Sequence, residues 1–141
     1  MSLPARVVIL AHPDDTVAAR LARVSGAALV HRGRELVGSA GATLVHVRAP
    51  ARQLDRLAVA CTLAGFAACL CAPTDSSPPP ALPRLHRRWH RFVFGSQAEA
   101  RAWRGLLPLG RLHVVDAGAS DTDLSADLTA VWEESIRMAG R

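Results

Sequence analysis

Lysine and tyrosine are both absent from this chain, and all seventeen of its basic residues are arginine. Every positive charge is therefore a planar fork that can hold carboxylate or phosphate in bidentate fashion. Cysteine is scarce: Cys61, Cys69 and Cys71 are too few and too unevenly spaced for a disulfide framework, and no CxxC occurs. Their apolar setting reads as small buried hydrophobes in a reducing compartment. Long apolar runs are missing too. Val7–Ala11 is broken at once by His12-Pro13-Asp14-Asp15, and Leu57–Ala72 contains Thr62 and Gly65, so neither a signal peptide nor a membrane span is expected. No internal repeat, P-loop, GxGxxG, GxSxG or HExxH is present.

What is there is a globular composition. Half of the 141 residues are hydrophobic and 21% are charged, which suits one domain with a real core in the cytoplasm. The net charge of +5 is made against twelve carboxylates, a mixed-sign surface and not a nucleic-acid footprint. Ala, Gly, Pro and Arg are the residues that GC-rich codons supply, so part of the bias points to a bacterial genome.

Hydrophobic patterning sets the order of elements. RVVILA over 6–11 is apolar without alternation, as in a strand shielded on both faces of a parallel sheet. Asp14 or Asp15 can cap a helix from Thr16, with Val17, Leu21 and Val24 inward and Gly26 at its end. Residues 27–31 predict a strand, and 32–42 a turn with a short hairpin arm through Glu35-Leu36-Val37. A strand over 43–47, a helix over 52–64 (Leu54, Leu57, Ala58 and Cys61 inward) and a strand over 66–72 follow. The Pro-rich stretch 73–83 is a loop, long enough for a lid or contact segment. A short basic helix over 82–90, a strand over 91–94, a capping box Ser96-Gln97-Ala98-Glu99 opening a helix to Leu106, a strand over 111–116 and a helix from about 121 complete the chain. Strands alternating with helices predict an α/β three-layer sandwich, doubly wound and Rossmann-like, around a mostly parallel sheet.

Ligands of such sheets bind outside the carboxyl ends of the strands. The loops expected there carry His12, Asp14, Asp15, Arg48, Thr74, Asp75, Ser76, Ser77, Gly95, Ser96 and Asp116. Arg48, Ser96 and Asp116 are the candidate contacts for a small anionic ligand. Arg84, Arg87, Arg88 and Arg91, with Trp89 between them, form the densest basic cluster. That cluster reads first as a solvated helix face anchored by Leu85 and Trp89. An acidic protein partner comes next, and nucleic acid last. His31 and His46 fall within strands and read as core or face histidines, Trp103 and Trp132 as core, and Glu133-Glu134 as an exposed face.

Two resemblances rest on these residues. Ala11-His12-Pro13-Asp14-Asp15 after a buried strand resembles the zinc-dependent N-acetylglucosaminyl deacetylases of the LmbE-like class, whose motif reads AHPDDE. The resemblance implies zinc held by His12 and Asp15, with Asp14 as the base that activates a metal-bound water. Thr16 stands where that family has Glu, no HxxH pair follows, and His113 is the one further histidine weighed as a ligand. The layout, with LAVACTLAGFAACLCAP over 57–73 and the Trp-bearing helix after it, is similar to the N-terminal domain of ATP-grasp ligases. That likeness implies an accessory module supporting a partner, because the nucleotide- and magnesium-binding domains of such ligases have no counterpart in these residues.

The sequence thus reads as a non-catalytic α/β module, without a cofactor, for a partner protein, a second copy of itself or a small anionic ligand. The alternatives are a small zinc amidohydrolase built on His12, Asp14 and Asp15, and a nucleotide or nucleic-acid binder through the Arg-rich cluster.

Overall fold

Branched apolar residues without alternation can be buried only if both faces of their strand are covered, and β1 (Val7–Leu10) shows this, with all four residues buried. The computed structural model describes residues 7–39, 43–75, 88–107 and 109–139. In it β1, β2 (Ala28–Val30), β3 (Leu44–Ala49), β4 (Ala68–Pro73), β5 (Arg91–Phe94) and β6 (Leu112–Val114) form one six-stranded sheet in the order β2-β1-β3-β4-β5-β6. Every pairing is parallel. The protein is a single α/β sandwich, as the alternation of strands and helices predicts.

The period of two along each strand divides its side chains between two cores. Val8, Leu10, Val45, Val47, Cys69, Cys71, Phe92 and Phe94 share one face with Leu54, Ala58 and Cys61 of helix α2 (Leu54–Leu63) and with Trp89 and Trp103. Val7, Ile9, Leu44, Leu70 and Val93 share the other with Ala18 and Leu21 of helix α1 (Thr16–Ser25) and Leu124, Leu128 and Trp132 of helix α4 (Asp121–Ala139). The three cysteines are buried free thiols. Gly26 ends α1 at φ 77°, the left-handed conformation that a Cβ disfavours. No helix among the described residues is long and apolar enough to cross a membrane.

Several local expectations are corrected. Gly33–Ser39 is a 3-10 helix, not a hairpin arm, and Leu36 turns into the core beside α2. Helix α3 (Gln97–Arg101) is one short stretch that gives way to turns before Leu106, so that Trp103 and Leu107 pack inward. The basic helix over 82–90 lies largely outside the described residues; of those described, Arg88 is 3-10 helical and His90 bends into β5.

Arg20 and Arg23, on the outward side of α1, pin the loop after β6. Arg20 donates to the carbonyls of Ala117 and Ala119 at 2.5 and 2.6 Å and to the Asp121 carboxylate, which Arg23 also reaches at 3.1 Å. These two arginines hold the Asp121 carboxyl below its usual range. Arg20→Ala is expected to lower stability by about 2 kcal/mol, since two carbonyl acceptors lose a charged donor. Arg20→Lys should restore only part, because one ammonium cannot span both carbonyls and the carboxylate. A shift in the urea midpoint reads both, and an unchanged midpoint for Arg20→Ala would refute this clamp.

Candidate functional site

The chain leaves β1 toward β2 on one side and leaves β3 toward β4 on the other. The carboxyl ends of these adjacent strands therefore border a crevice where the winding reverses, which is where open α/β sheets bind ligands. A cavity of about 570 Å³ lies there, and its walls carry Arg48, Arg52 and Arg56, His12 and His31, and Asp14 and Asp15.

His-Pro-Asp-Asp turns the chain sharply out of β1. The His12 Nδ1 accepts from the Asp14 backbone N–H at 3.1 Å, and both side chains stand largely in solvent. Asp15 is the helix cap: its Oδ1 accepts from the Ala18 N–H at 3.0 Å. Its Oδ2 receives the Nε of Arg48 at 2.8 Å, with only 13% of the Asp15 side chain and 16% of the Arg48 side chain exposed. Arg48, near the end of β3, is thereby held by one edge of its guanidinium. Asp15 is its one acceptor among the described residues, which leaves the two terminal nitrogens for a ligand. His31, just past β2, donates from Nδ1 to the Ala11 carbonyl at 3.0 Å, since a carbonyl can only accept. Its Nε2 is left as an acceptor.

A second cavity of about 310 Å³ adjoins the first over the ends of β4 and β5, sharing Arg48 and Thr74 with it. Asp75 and Glu99 stand in its wall. Asp75 Oδ2 accepts from the Ala51 N–H and Glu99 Oε2 from the Gly95 N–H, each at 2.9 Å, so each carboxylate is anchored and keeps one oxygen over. A methyl on Gly95 would stand 3.4 Å from Glu99 Oε2 and 3.3 Å from the Ala117 Cβ, so glycine keeps that wall back.

Beneath this second cavity a pocket of about 20 Å³ is walled by His46, Arg48, Val93 and Gly95 among others. His46 is fully buried, and its Nδ1 accepts from the indole N–H of Trp132 at 3.0 Å. The ring proton is therefore on Nε2, and no described group accepts it. Burial first, then the Arg48 charge, push the His46 pKa down to about 3, with Asp15 opposing.

The fold thus gathers His12, Asp14, Asp15, Arg48, Thr74, Asp75 and Gly95 from the expected set. It places the others elsewhere. Ser96 Oγ caps α3 by accepting from the Glu99 N–H, and Asp116 closes its own turn onto the Gly118 N–H. Arg84 and Arg87, with Ser76 and Ser77, lie outside the described residues. Arg88 is exposed ahead of β5, at the amino ends of the parallel strands, opposite the end that carries the cavity. Arg91 is 4% exposed inside β5, donating to the His90 carbonyl and pairing with Glu134, so it offers nothing to nucleic acid. His113 sits within β6 near Arg91 and Glu134, away from the crevice, and its pKa is lowered chiefly by burial. Arg52 and Arg56 were not singled out from the sequence, and His31, read there as a strand histidine, lies just past the end of β2 in the cavity wall. A signal did exist, because Arg48, Arg52 and Arg56 repeat every four residues from the end of one strand into the next helix.

The zinc reading asks for His12 and Asp15 as ligands. Asp15 has given one oxygen to a helix cap and the other to a guanidinium, which stands against it where a metal ion would have to be. Among the described residues no group of three or more His, Cys, Asp or Glu is placed to hold a metal. The donor set does not fit zinc in this arrangement.

The fold and its crevice define the class, a doubly wound parallel α/β protein with a basic cavity at the point where the winding reverses. No family model, curated protein or solved structure matches the chain significantly.

Proposed function

We propose that the protein binds a small anion at the carboxyl ends of β1 and β3 and acts as a binding module with no reaction of its own. The observation behind this reading is Arg48, locked by Asp15 at 2.8 Å with its outer nitrogens left over, in one cavity with Arg52 and Arg56. A guanidinium fixed along one edge meets an anion with little further loss of side-chain freedom, which is the advantage of a preorganised receptor. Because Asp15 neutralises Arg48, the surplus positive charge comes from Arg52 and Arg56. Asp14 sits at the exposed rim and offsets only part of it.

Inorganic phosphate, titrated at low ionic strength, is expected to raise the thermal midpoint with concentration, as any ligand of the folded state does. Arg52→Ala with Arg56→Ala should weaken that binding by about tenfold, or 1.4 kcal/mol, and added chloride should weaken it in the wild type. A phosphate effect no larger than that of chloride at equal ionic strength would remove this reading.

A further inference from the structure

We infer that the anion taken up here carries a polyhydroxylated, sugar-like body, seated in the smaller cavity over β4 and β5 while its charged group lies against Arg48, Arg52 and Arg56. This rests on the anion-binding reading and adds the chemical class of the ligand. The two cavities share Arg48 and Thr74 as walls, so a molecule bound through Arg48 lies at the border of both.

The polarity of the smaller cavity selects its occupant. Its rim offers acceptors: the Asp75 and Glu99 carboxylates, each already fixed by a backbone N–H, keep one oxygen apiece. Its floor offers donors. Arg48 lines both cavities, and in the small pocket that shares Arg48, Val93 and Gly95 with this one the Nε2–H of His46 is buried without an acceptor among the described residues. Because Nδ1 is turned to Trp132, Nε2 faces the other way round the ring. The pocket of about 20 Å³ beside His46 has room for one water molecule, which would relay that donor upward. Carboxylates at the rim and unmet donors below require groups that donate and accept at once, and hydroxyls do both. An ammonium group only donates: it would suit Asp75 and Glu99 but leave the His46 proton unmet and confront Arg48. Vicinal hydroxyls on a fixed carboxylate are how other α/β sheets hold a ribose. Pro73, Val93 and Ala98 complete the wall with apolar surface for a ring.

The test compares three ligands by calorimetry on the intact chain: inorganic phosphate, ribose 5-phosphate and phosphoethanolamine. Ribose 5-phosphate is expected to bind about tenfold tighter than phosphate, the gain from charge-assisted bonds to two carboxylates. Asp75→Asn with Glu99→Gln, which keeps an acceptor for each backbone N–H, should bring the ratio of ribose 5-phosphate to phosphate affinity, measured in the same variant, down to about one. Equal affinity for ribose 5-phosphate and phosphate overturns the sugar assignment while anion binding stands. Tighter binding of phosphoethanolamine than of ribose 5-phosphate overturns it in favour of an amine. Binding of none of the three removes the anion reading itself.

Discussion

Between pH 6.5 and pH 3 the protein is expected to lose stability on the order of 4 kcal/mol through His46 alone, and the His46→Gln variant is expected to keep it. An unfolded His46 takes up a proton as the pH falls through 6.5, whereas the folded one stays neutral until about pH 3. Protons therefore bind the unfolded chain preferentially across this window, at about 1.4 kcal/mol per pH unit. The contribution is fully present above pH 6.5, declines below it and levels off near pH 3. The cause is structural: the imidazole is buried between the sheet and α4, and its one accepting nitrogen is already taken by Trp132. Glutamine keeps a carbonyl for the Trp132 N–H and cannot be protonated in this range, so the comparison isolates the histidine from the surface carboxylates. Urea unfolding at stepped pH measures it, and parallel curves for the two proteins would show that His46 does not carry the acid sensitivity. A loss of this size is a large share of the 5–15 kcal/mol that holds an ordinary domain together.

Asp15→Ala is expected to cost about 3–5 kcal/mol, the range for breaking a largely buried ion pair, with loss of the helix cap included. The variant strands the Arg48 guanidinium, at 16% exposure, without its acceptor and leaves the Ala18 N–H uncapped. Asp15→Asn separates the two effects. Its amide oxygen still caps α1, so the cost should fall by about 1 kcal/mol, while the charge partner of Arg48 is gone in both variants. Adding Arg48→Ala to Asp15→Ala should recover a good part of the loss, since the unpaired charge goes too. Chemical denaturation of the wild type, Asp15→Ala, Arg48→Ala and the double variant gives the cycle, and strictly additive losses would show that the pair acts as two independent side chains.

The strands were legible because a parallel sheet buries both faces. Runs such as VVIL over 7–10 and the apolar residues over 68–73 have no exposed side to mark with polar residues, and nothing but an interior strand accommodates them. The helix from about 121 with Trp132 in the core was legible, and so were the cap of α3 by Ser96 and the capping of α1 by one of two adjacent aspartates. Other features were hidden. Glu35-Leu36-Val37 reads equally well as extended or 3-10, and what decided it was a vacancy beside α2 that Leu36 fills. Arg91 looks like part of a basic surface cluster until the register of β5 puts it beneath α4, within reach of Glu134. Ser96 and Asp116 carry the right atoms for a ligand, yet local backbone N–H groups take them first, because the nearest donor costs least to reach.

The amino-acid order determined on its own that this chain forms alternating strands and helices around a two-faced parallel sheet, and that its polar turns gather where strands end. Both follow from short-range periodicity and local capping. Only the tertiary structure decided which turns share a crevice. Strands apolar on both faces can be ordered in many ways, and the order 2-1-3-4-5-6 alone sets β1 beside β3 and brings Arg48 onto Asp15, thirty-three residues away. Such pairings depend on long-range packing, and the identity of neither residue announces it.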